Sequence, residues 1–151
     1  MSLHETVHAS CILVGETGLL IRGPSGSGKS TLARELVSRM GVANRFGRLV
    51  SDDRTRLEAH HGRLLARPVD PLGGCIEIRG IGIVRQPFEE AAIVRLAIDL
   101  CTDLPRYPDE PDKHLILCGV MIPRVRMQAG AMSADLALAY VSGVCDTILT
   151  L

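Results

Sequence analysis

Short apolar runs separated by polar turns dominate the sequence, and each run has the length and residue types of a strand. Runs that predict strands lie at residues 7–14, 19–21, 48–50, 55–59, 63–66, 75–84, 94–101 and 114–122. The first two runs are joined by Gly15, Glu16, Thr17 and Gly18, which are turn residues and predict a hairpin. The pattern therefore indicates a sheet built from many short strands.

Two stretches carry apolar residues at helical spacing instead. The first predicts a helix over residues 31–40, with Gly41 suited to end it, and the second predicts a helix capped by residues 133–135. Their apolar positions are Leu32, Leu36, Val37 and Met40 in the first helix, and Leu136, Ala137, Tyr140, Val141 and Val144 in the second. A polar loop is expected at residues 102–113 and a basic connector at residues 123–126. Frequent strands with only two clear helices predict an α/β fold with a mixed sheet.

Composition narrows the class of protein. A chain of 151 residues with 46% hydrophobic content is long enough for one core, so a single domain over residues 1–151 is expected. The balance of 17 basic and 17 acidic residues gives no reason to expect nucleic acid or a membrane as the main partner. No apolar run approaches the roughly 18 to 20 residues that span a bilayer, and no signal-peptide order is present, so a cytoplasmic protein is expected. The five cysteines lack C-x-x-C spacing and indicate neither a zinc ribbon nor a disulfide framework.

One segment matches a phosphate-binding motif in full. Residues 23–30 read Gly-Pro-Ser-Gly-Ser-Gly-Lys-Ser, between a predicted strand and a predicted helix, as the G-x-x-x-x-G-K-[ST] motif requires. The residues expected to bind nucleotide are Gly23, Pro24, Ser25, Gly26, Ser27, Gly28, Lys29, Ser30 and Thr31. Lys29 would reach the outer phosphates and the Ser30 hydroxyl would ligate Mg²⁺. The alternative is a glycine-rich turn with a chance Lys-Ser ending.

An acidic pair follows the next strand. Asp52 and Asp53 end the run at residues 48–50, in the arrangement that brings a carboxylate to Mg²⁺ and the terminal phosphate of a nucleotide. Adjacent residues at a strand end point in different directions, so one aspartate can face the metal and the other an incoming hydroxyl. A solvated Asp-Asp turn that closes a hairpin is the alternative.

Three other polar positions are ambiguous from the residues alone. His8, near a strand start, is more often a surface or core residue than a catalyst. Glu77 and Arg79 would share one face of a strand, which suits either a metal and phosphate site or an ordinary solvated face. The glycines that follow would allow close backbone approach.

Three segments taken together resemble the catalytic domain of the bifunctional HPr kinase/phosphorylase. They are the phosphate-binding loop, Ser-Asp-Asp-Arg at residues 51–54, and Ile-Glu-Ile-Arg-Gly-Ile-Gly-Ile at residues 76–83, which is similar to the family's own signature. Val7 and His8 also match a valine and a histidine that precede the family's first strand. The likeness is weakest after Pro123. The chain resembles only the shorter members of the family, which consist of the catalytic domain alone.

The resemblance implies an ATP-dependent protein-serine kinase that acts on HPr or an HPr-like phosphocarrier of the phosphotransferase system. It also implies removal of the phosphate with inorganic phosphate as acceptor, which gives pyrophosphate. By this likeness Lys29 would hold the β- and γ-phosphates of ATP, and Ser30 and Glu77 would place Mg²⁺. Asp53 is expected to be the base that accepts the serine proton, with Asp52 nearer the metal, although the two could be exchanged.

The same resemblance suggests further features. His8 becomes a catalytic candidate, and Arg106 falls where the family places an essential arginine, which could clamp the transferring phosphoryl group. Residues 122–127 keep only the proline and positive charge of the family loop that contributes to dephosphorylation. The implied fold is of the phosphoenolpyruvate carboxykinase-like type, and the implied assembly is a hexamer.

Other classes of function stay open at this point. A small-molecule kinase or other nucleotide-hydrolysing enzyme could use the same loop, and so could a sensor that binds ATP without turning it over. A doubly wound parallel sheet is the alternative fold. The sequence does not identify the phosphocarrier, the balance of the two directions or any effector.

Overall fold

The computed structural model describes residues 4–70, 72–104, 106–107 and 109–141. The strands are β1 His4–Val7, β2 Ala9–Val14, β3 Thr17–Arg22, β4 Gly47–Ser51, β5 Thr55–His60, β6 Arg63–Pro68, β7 Cys75–Ile78, β8 Gly82–Arg85, β9 Ala92–Leu100, β10 His114–Leu117 and β11 Val120–Met127. The helices are α1 Lys29–Val42 and α2 Ser133–Ala139, with a 3₁₀ helix at Glu110–Lys113. Among the described residues, no helix has the length and apolar character needed to cross a membrane.

Nine of the strands form one mixed sheet. Seven follow the order β1-β5-β6-β9-β3-β2-β4, while β11 pairs with both β9 and β10. Strand β9 runs parallel to β3 and β11, and the other pairs are antiparallel, including the separate hairpin of β7 and β8. The carboxyl ends of β3, β9 and β11 therefore meet at one edge of the sheet. The prediction of a mixed sheet with few helices is confirmed.

The centre of the sheet is buried on both faces, as β3 shows. Leu19 and Ile21 point to the face covered by α1, where they pack in one cluster with Leu36. Leu20 points to the opposite face and packs in a second cluster with Cys11. Burial raises the pKa of the Cys11 thiol to about 12, so this residue is a neutral part of the core. A strand buried on both faces holds the loop that follows it firmly in place.

Helix α1 does not end at Gly41, so that prediction is wrong. The helix runs to Val42, and the left-handed residue beyond it is Asn44, with φ of 57°. The amide of Asn44 donates to the Gly41 carbonyl oxygen at 3.0 Å, and the amide of Arg45 donates to that of Met40 at 2.8 Å. This is a Schellman motif in which asparagine takes the position that glycine usually occupies.

The apolar run at residues 114–122 is two strands rather than one, so that prediction is also wrong. Cys118 and Gly119 have φ of 50° and 77°, and they form the two-residue turn between β10 and β11. Two successive residues with positive φ are typical of the tightest hairpin turns, in which cysteine is uncommon. The second predicted helix is present as α2, and its predicted position Val144 lies outside the described residues.

Residues 123–126 belong to β11 instead of forming the predicted connector. Pro123 lies opposite His114, the first residue of β10, and pairing with β9 starts at Arg124. Proline lacks an amide hydrogen, so a position where the strand changes partner can accept it.

The observed end of α1 leads to a stability prediction. Gly41→Ala should stabilise the protein by about 0.5–1 kcal/mol, because the residue is helical and a Cβ there meets nothing within 4 Å. Asn44→Ala should destabilise it by about 1 kcal/mol, because alanine is disfavoured at positive φ. Urea unfolding followed by circular dichroism measures both changes.

A helix that ended at Gly41 would give the reverse order. In that case Gly41→Ala would lower the free energy of unfolding, and Asn44→Ala would leave it nearly unchanged.

Candidate active site

The phosphate-binding loop connects β3 to α1, at the edge where the parallel strands end. Gly28 precedes the helix with φ of 100°, a conformation that favours glycine. A Cβ on Gly23 would lie 2.6 Å from Ser27 Oγ and 3.1 Å from the Leu100 carbonyl oxygen, so the loop is packed against the end of β9. The first amides of α1 face this loop, and together they form a concave site for anions.

Lys29 is held inside the loop. Its side chain is only 4% exposed, and Nζ donates to the carbonyl oxygens of Gly23 at 2.9 Å and Pro24 at 3.2 Å. Nζ also lies 3.9 Å from Asp53 Oδ1. These acceptors satisfy a buried cation and place its charge beside the loop and the acidic pair.

Asp52 and Asp53 follow β4 and face different partners, as expected for adjacent residues. Asp52 Oδ1 accepts hydrogen bonds from Ser30 Oγ at 2.7 Å and Ser10 Oγ at 2.9 Å. Asp53 Oδ1 is hydrogen-bonded to His8 Nε2, and the Asp53 side chain is 58% exposed. One carboxylate is therefore tied to the start of α1, while the other is accessible beside a histidine and a lysine.

A cavity of about 570 Å³ contains the acidic pair and most of the phosphate-binding loop. Its lining residues are Ser25, Gly26, Gly28, Lys29, Ser30, Thr31, Arg34, Asp52, Asp53, Leu72, Cys75, Ile76, Glu77, Ile78, Arg79 and Ile83. We call it the loop cavity. It brings together Lys29, Ser30, Glu77 and both aspartates, which the sequence had singled out from three separate segments.

The hairpin of β7 and β8 forms one wall of the loop cavity. Glu77 lies in β7, but Arg79 lies in the turn after it, so the prediction that the two share a strand face is wrong. Gly80 and Gly82 have φ of 85° and 107°, and a Cβ on either would meet nothing within 4 Å. These glycines serve the turn and not a close backbone approach.

A second cavity, of about 530 Å³, is lined in part by His8, and no pattern in the sequence predicted it. Its lining residues are Val7, His8, Arg22, Gly23, Asp99, Leu100, Cys101, Asp103 and Arg126. We call it the strand-end cavity. His8 lines this cavity and contacts Asp53, which lines the loop cavity, so the His8–Asp53 pair connects the two spaces.

Ion pairs organise the charged wall of the strand-end cavity. Arg22 binds Asp99 with two hydrogen bonds, at 2.7 and 2.9 Å. Arg124 lies 3.5 Å from Asp99 and 3.2 Å from Asp112, and Arg126 lies 3.4 Å from Asp112. These contacts join β3, β9, β11 and the 3₁₀ helix just below the loop.

Arg106 is exposed, and its guanidinium lies over the ring of Tyr107, 5.7 Å from the ring centroid. It is not among the described residues that line either cavity. The clamp role expected for it stays a prediction.

The oxygen donors of the loop cavity fit Mg²⁺. The Ser30 hydroxyl and the carboxylates of Asp52 and Glu77 line one space, and Mg²⁺ binds hard oxygen ligands. Within the described part of the chain, no three His, Cys, Asp or Glu side chains cluster as a self-sufficient metal site. That arrangement suits an ion held by one or two carboxylates together with the phosphates of a nucleotide.

Comparisons with known proteins agree with this geometry. Residues 1–124 match the family model described as the HPr Serine kinase C-terminal domain. The HPr kinase/phosphorylase of Streptococcus thermophilus is 34% identical over 134 residues, which are 81% of this chain and 41% of that protein. The corresponding protein of Clostridium beijerinckii is 37% identical over 78 residues, 52% of this chain and 24% of that protein.

The fold also matches a solved structure. The HPr(Ser) kinase/phosphatase from Coxiella burnetii superposes with a TM-score of 0.77 at 25% identity, covering 97% of this chain and 92% of that one. The chain spans about two fifths of the length of the streptococcal relative. Because the family model covers most of the 151 residues, the chain belongs to the HPr serine kinase C-terminal domain family.

Proposed function

We propose that this protein is an ATP-dependent serine kinase of an HPr-type phosphocarrier. The observation that carries the proposal is the Asp53 carboxylate, which contacts His8, lies 3.9 Å from Lys29 Nζ and borders the phosphate-binding loop. A carboxylate in this place can accept a proton from a hydroxyl that attacks the terminal phosphate of a bound nucleotide. The names of the relatives supply the class of acceptor.

In the proposed reaction the acceptor serine approaches Asp53 from the side of His8. Its oxygen forms a bond to the γ-phosphorus of ATP, the bond from that phosphorus to the ADP oxygen breaks, and the serine proton moves to Asp53. Lys29 offsets the charge on the outer phosphates, and His8 orients the Asp53 carboxylate. The strand-end cavity, which opens beside His8, is the space we assign to the acceptor.

Mg²⁺ is part of this proposal. Ser30, Asp52 and Glu77 would hold it in the loop cavity, where it would neutralise charge on the phosphate oxygens. Asp52 already accepts a hydrogen bond from the Ser30 hydroxyl, so the two proposed oxygen ligands lie side by side. This contact supports assigning the metal role to Asp52 and the base role to Asp53.

The reverse chemistry follows from the same groups. Inorganic phosphate would take the place of the ADP phosphate in the loop, and its oxygen would form a bond to the phosphorus of phosphoserine. The bond from that phosphorus to the serine oxygen would break, protonated Asp53 would give its proton to the serine oxygen, and the products would be serine and pyrophosphate. Release of pyrophosphate from phosphorylated carrier and inorganic phosphate would test the reverse reaction.

We also propose that the protein acts in the cytoplasm and assembles as an oligomer.

Replacing the proposed base should slow phosphoryl transfer strongly while leaving nucleotide binding intact. Asp53→Asn should lower kcat for labelling a purified HPr-type carrier from γ-labelled ATP by about 10²- to 10⁴-fold, because an amide cannot take the proton. The matched control is Asp135→Asn, which changes an exposed aspartate paired with Arg39 and should keep normal activity.

Two results would contradict the proposal. If the wild-type protein bound ATP but labelled no carrier, the assignment of a protein acceptor would be wrong. If Asp53→Asn matched the control, Asp53 would not be the base.

The metal role of Ser30 makes a separate prediction. Ser30→Ala should raise the Mg²⁺ concentration needed for half-maximal activity by about tenfold, because one of the proposed oxygen donors is lost. Ser38→Ala, on the exposed side of the same helix, is the control and should leave the Mg²⁺ dependence unchanged. An identical Mg²⁺ titration for both variants would remove Ser30 from the metal site.

A further inference from the structure

We infer that Ser10 is a positioning residue that sets the geometry of both aspartates, an inference that rests on the proposed kinase function. Ser10 lies in β2, and its residue is fully buried. In the sequence it is a polar residue within the predicted strand at residues 7–14, and no motif includes it. Its hydroxyl nevertheless forms hydrogen bonds to both the Asp52 side chain and the Asp53 backbone, and no other side chain among the described residues does so.

The hydroxyl of Ser10 has a donor role and an acceptor role. Ser10 Oγ donates to Asp52 Oδ1 at 2.9 Å and accepts the backbone amide of Asp53 at 3.2 Å. A serine hydroxyl has one hydrogen to donate and lone pairs to accept, so one side chain can make both bonds. Because Ser10 is buried in the sheet, its hydroxyl can hold the two acidic residues in a fixed arrangement.

The backbone of Asp53 needs such support. Its φ is 63°, which places a residue other than glycine in the left-handed region. This conformation is disfavoured for most side chains and persists where the surroundings hold it. The bond from the Asp53 amide to Ser10 Oγ, and one from the Arg54 amide to the Asp52 carbonyl oxygen at 2.7 Å, fix the turn. That turn directs the Asp53 carboxylate toward His8.

The register of β2 and β4 brings Ser10 to this place. Ile12 is paired with Leu49, but Cys11 is paired with Ser51, so the register shifts and Val50 is the additional residue on β4. Following the shifted register by one residue puts Ser10 opposite Asp52. Without the shift, Ser10 would lie opposite Ser51 and the acidic pair would move away from it. Register shifts of this kind commonly redirect side chains beside active sites.

Loss of the Ser10 hydroxyl should slow the chemical step of the proposed reaction. Lys29 makes its hydrogen bonds to the loop carbonyl oxygens without Ser10, and Asp52 keeps the Ser30 hydroxyl as a donor, so we expect ATP and Mg²⁺ still to bind when the Ser10 hydroxyl is lost. Loss of the hydroxyl leaves the Asp53 amide without its acceptor and Asp52 without one of its two donors. Asp53 can then turn away from His8, and the proposed base loses its alignment with the acceptor.

Ser10→Ala, Ser10→Thr and Ser133→Ala together test the inference. Ser133 is the matched control, because its buried hydroxyl also accepts one amide, from Gly130 at 2.7 Å, and donates to one carbonyl, of Gln128 at 3.0 Å. With the HPr-type carrier as acceptor, Ser10→Ala should lower kcat by roughly 10- to 100-fold while KM for ATP changes by less than about twofold. Ser10→Thr, which restores the hydroxyl, should recover most of kcat, and Ser133→Ala should keep it.

Amide hydrogen exchange supplies a readout that needs no carrier. The Asp53 amide should exchange about tenfold faster in Ser10→Ala than in the wild type, whereas Ser133→Ala should leave it unchanged. This measurement also decides the case if threonine is too large for the buried site.

The outcomes separate the two proposals. A wild-type protein that labels no carrier overturns the proposed function, and the catalytic role of Ser10 falls with it. An active wild type in which Ser10→Ala resembles Ser133→Ala in kcat overturns the role of Ser10 alone. Unchanged exchange of the Asp53 amide in Ser10→Ala overturns the positioning contact itself.

Discussion

Strands β3 and β9 run parallel through the sheet, and their backbones come so close at Gly18 that a Cβ would lie 2.3 Å from the Ile93 carbonyl oxygen. The same approach continues to the strand ends, where a Cβ on Gly23 would meet the Leu100 carbonyl oxygen at 3.1 Å. The phosphate-binding loop thus starts from a closely packed pair of strands. Lys29 and the glycines of the loop take their position from this pairing, whereas the acidic pair is positioned by the pairing of β2 with β4.

Charge in the site is arranged around that fixed loop. Lys29 is buried against two carbonyl oxygens and lies near Asp53, so the loop holds a cation where phosphate charge would be bound. On the far side, Asp99 is compensated by Arg22 and Arg124, which keeps the end of β9 joined to its parallel neighbours. The His8–Asp53 pair is one contact that joins the two cavities, and the hydrogen bond from Lys29 to Gly23 is another.

Local patterns were enough to predict part of this structure. The loop motif could be identified because its glycines and its Lys-Ser ending are consecutive, and most strands could be identified from short-range alternation. The end of α1 was predicted at the wrong residue because Asn44 adopts the left-handed conformation that usually marks a glycine. The turn at Cys118 was not predicted because cysteine rarely adopts positive φ. The sequence offered one faint signal for Ser10, a hydroxyl in an otherwise apolar strand.

The contacts that matter most for chemistry span long stretches of the chain. His8 and Asp53 are 45 residues apart, and Ser10 and Asp52 are 42 apart. Alternation along β2 and β4 specifies which face each residue occupies, but not which residues lie opposite each other. The shift that leaves Val50 as the additional residue on β4 makes that choice, and it does so two residues before the acidic pair. Because Val50 is the additional residue, Ser10 of the buried strand β2 lies opposite Asp52 and accepts the amide of Asp53, the proposed base. A serine outside any recognisable motif can therefore belong to the site.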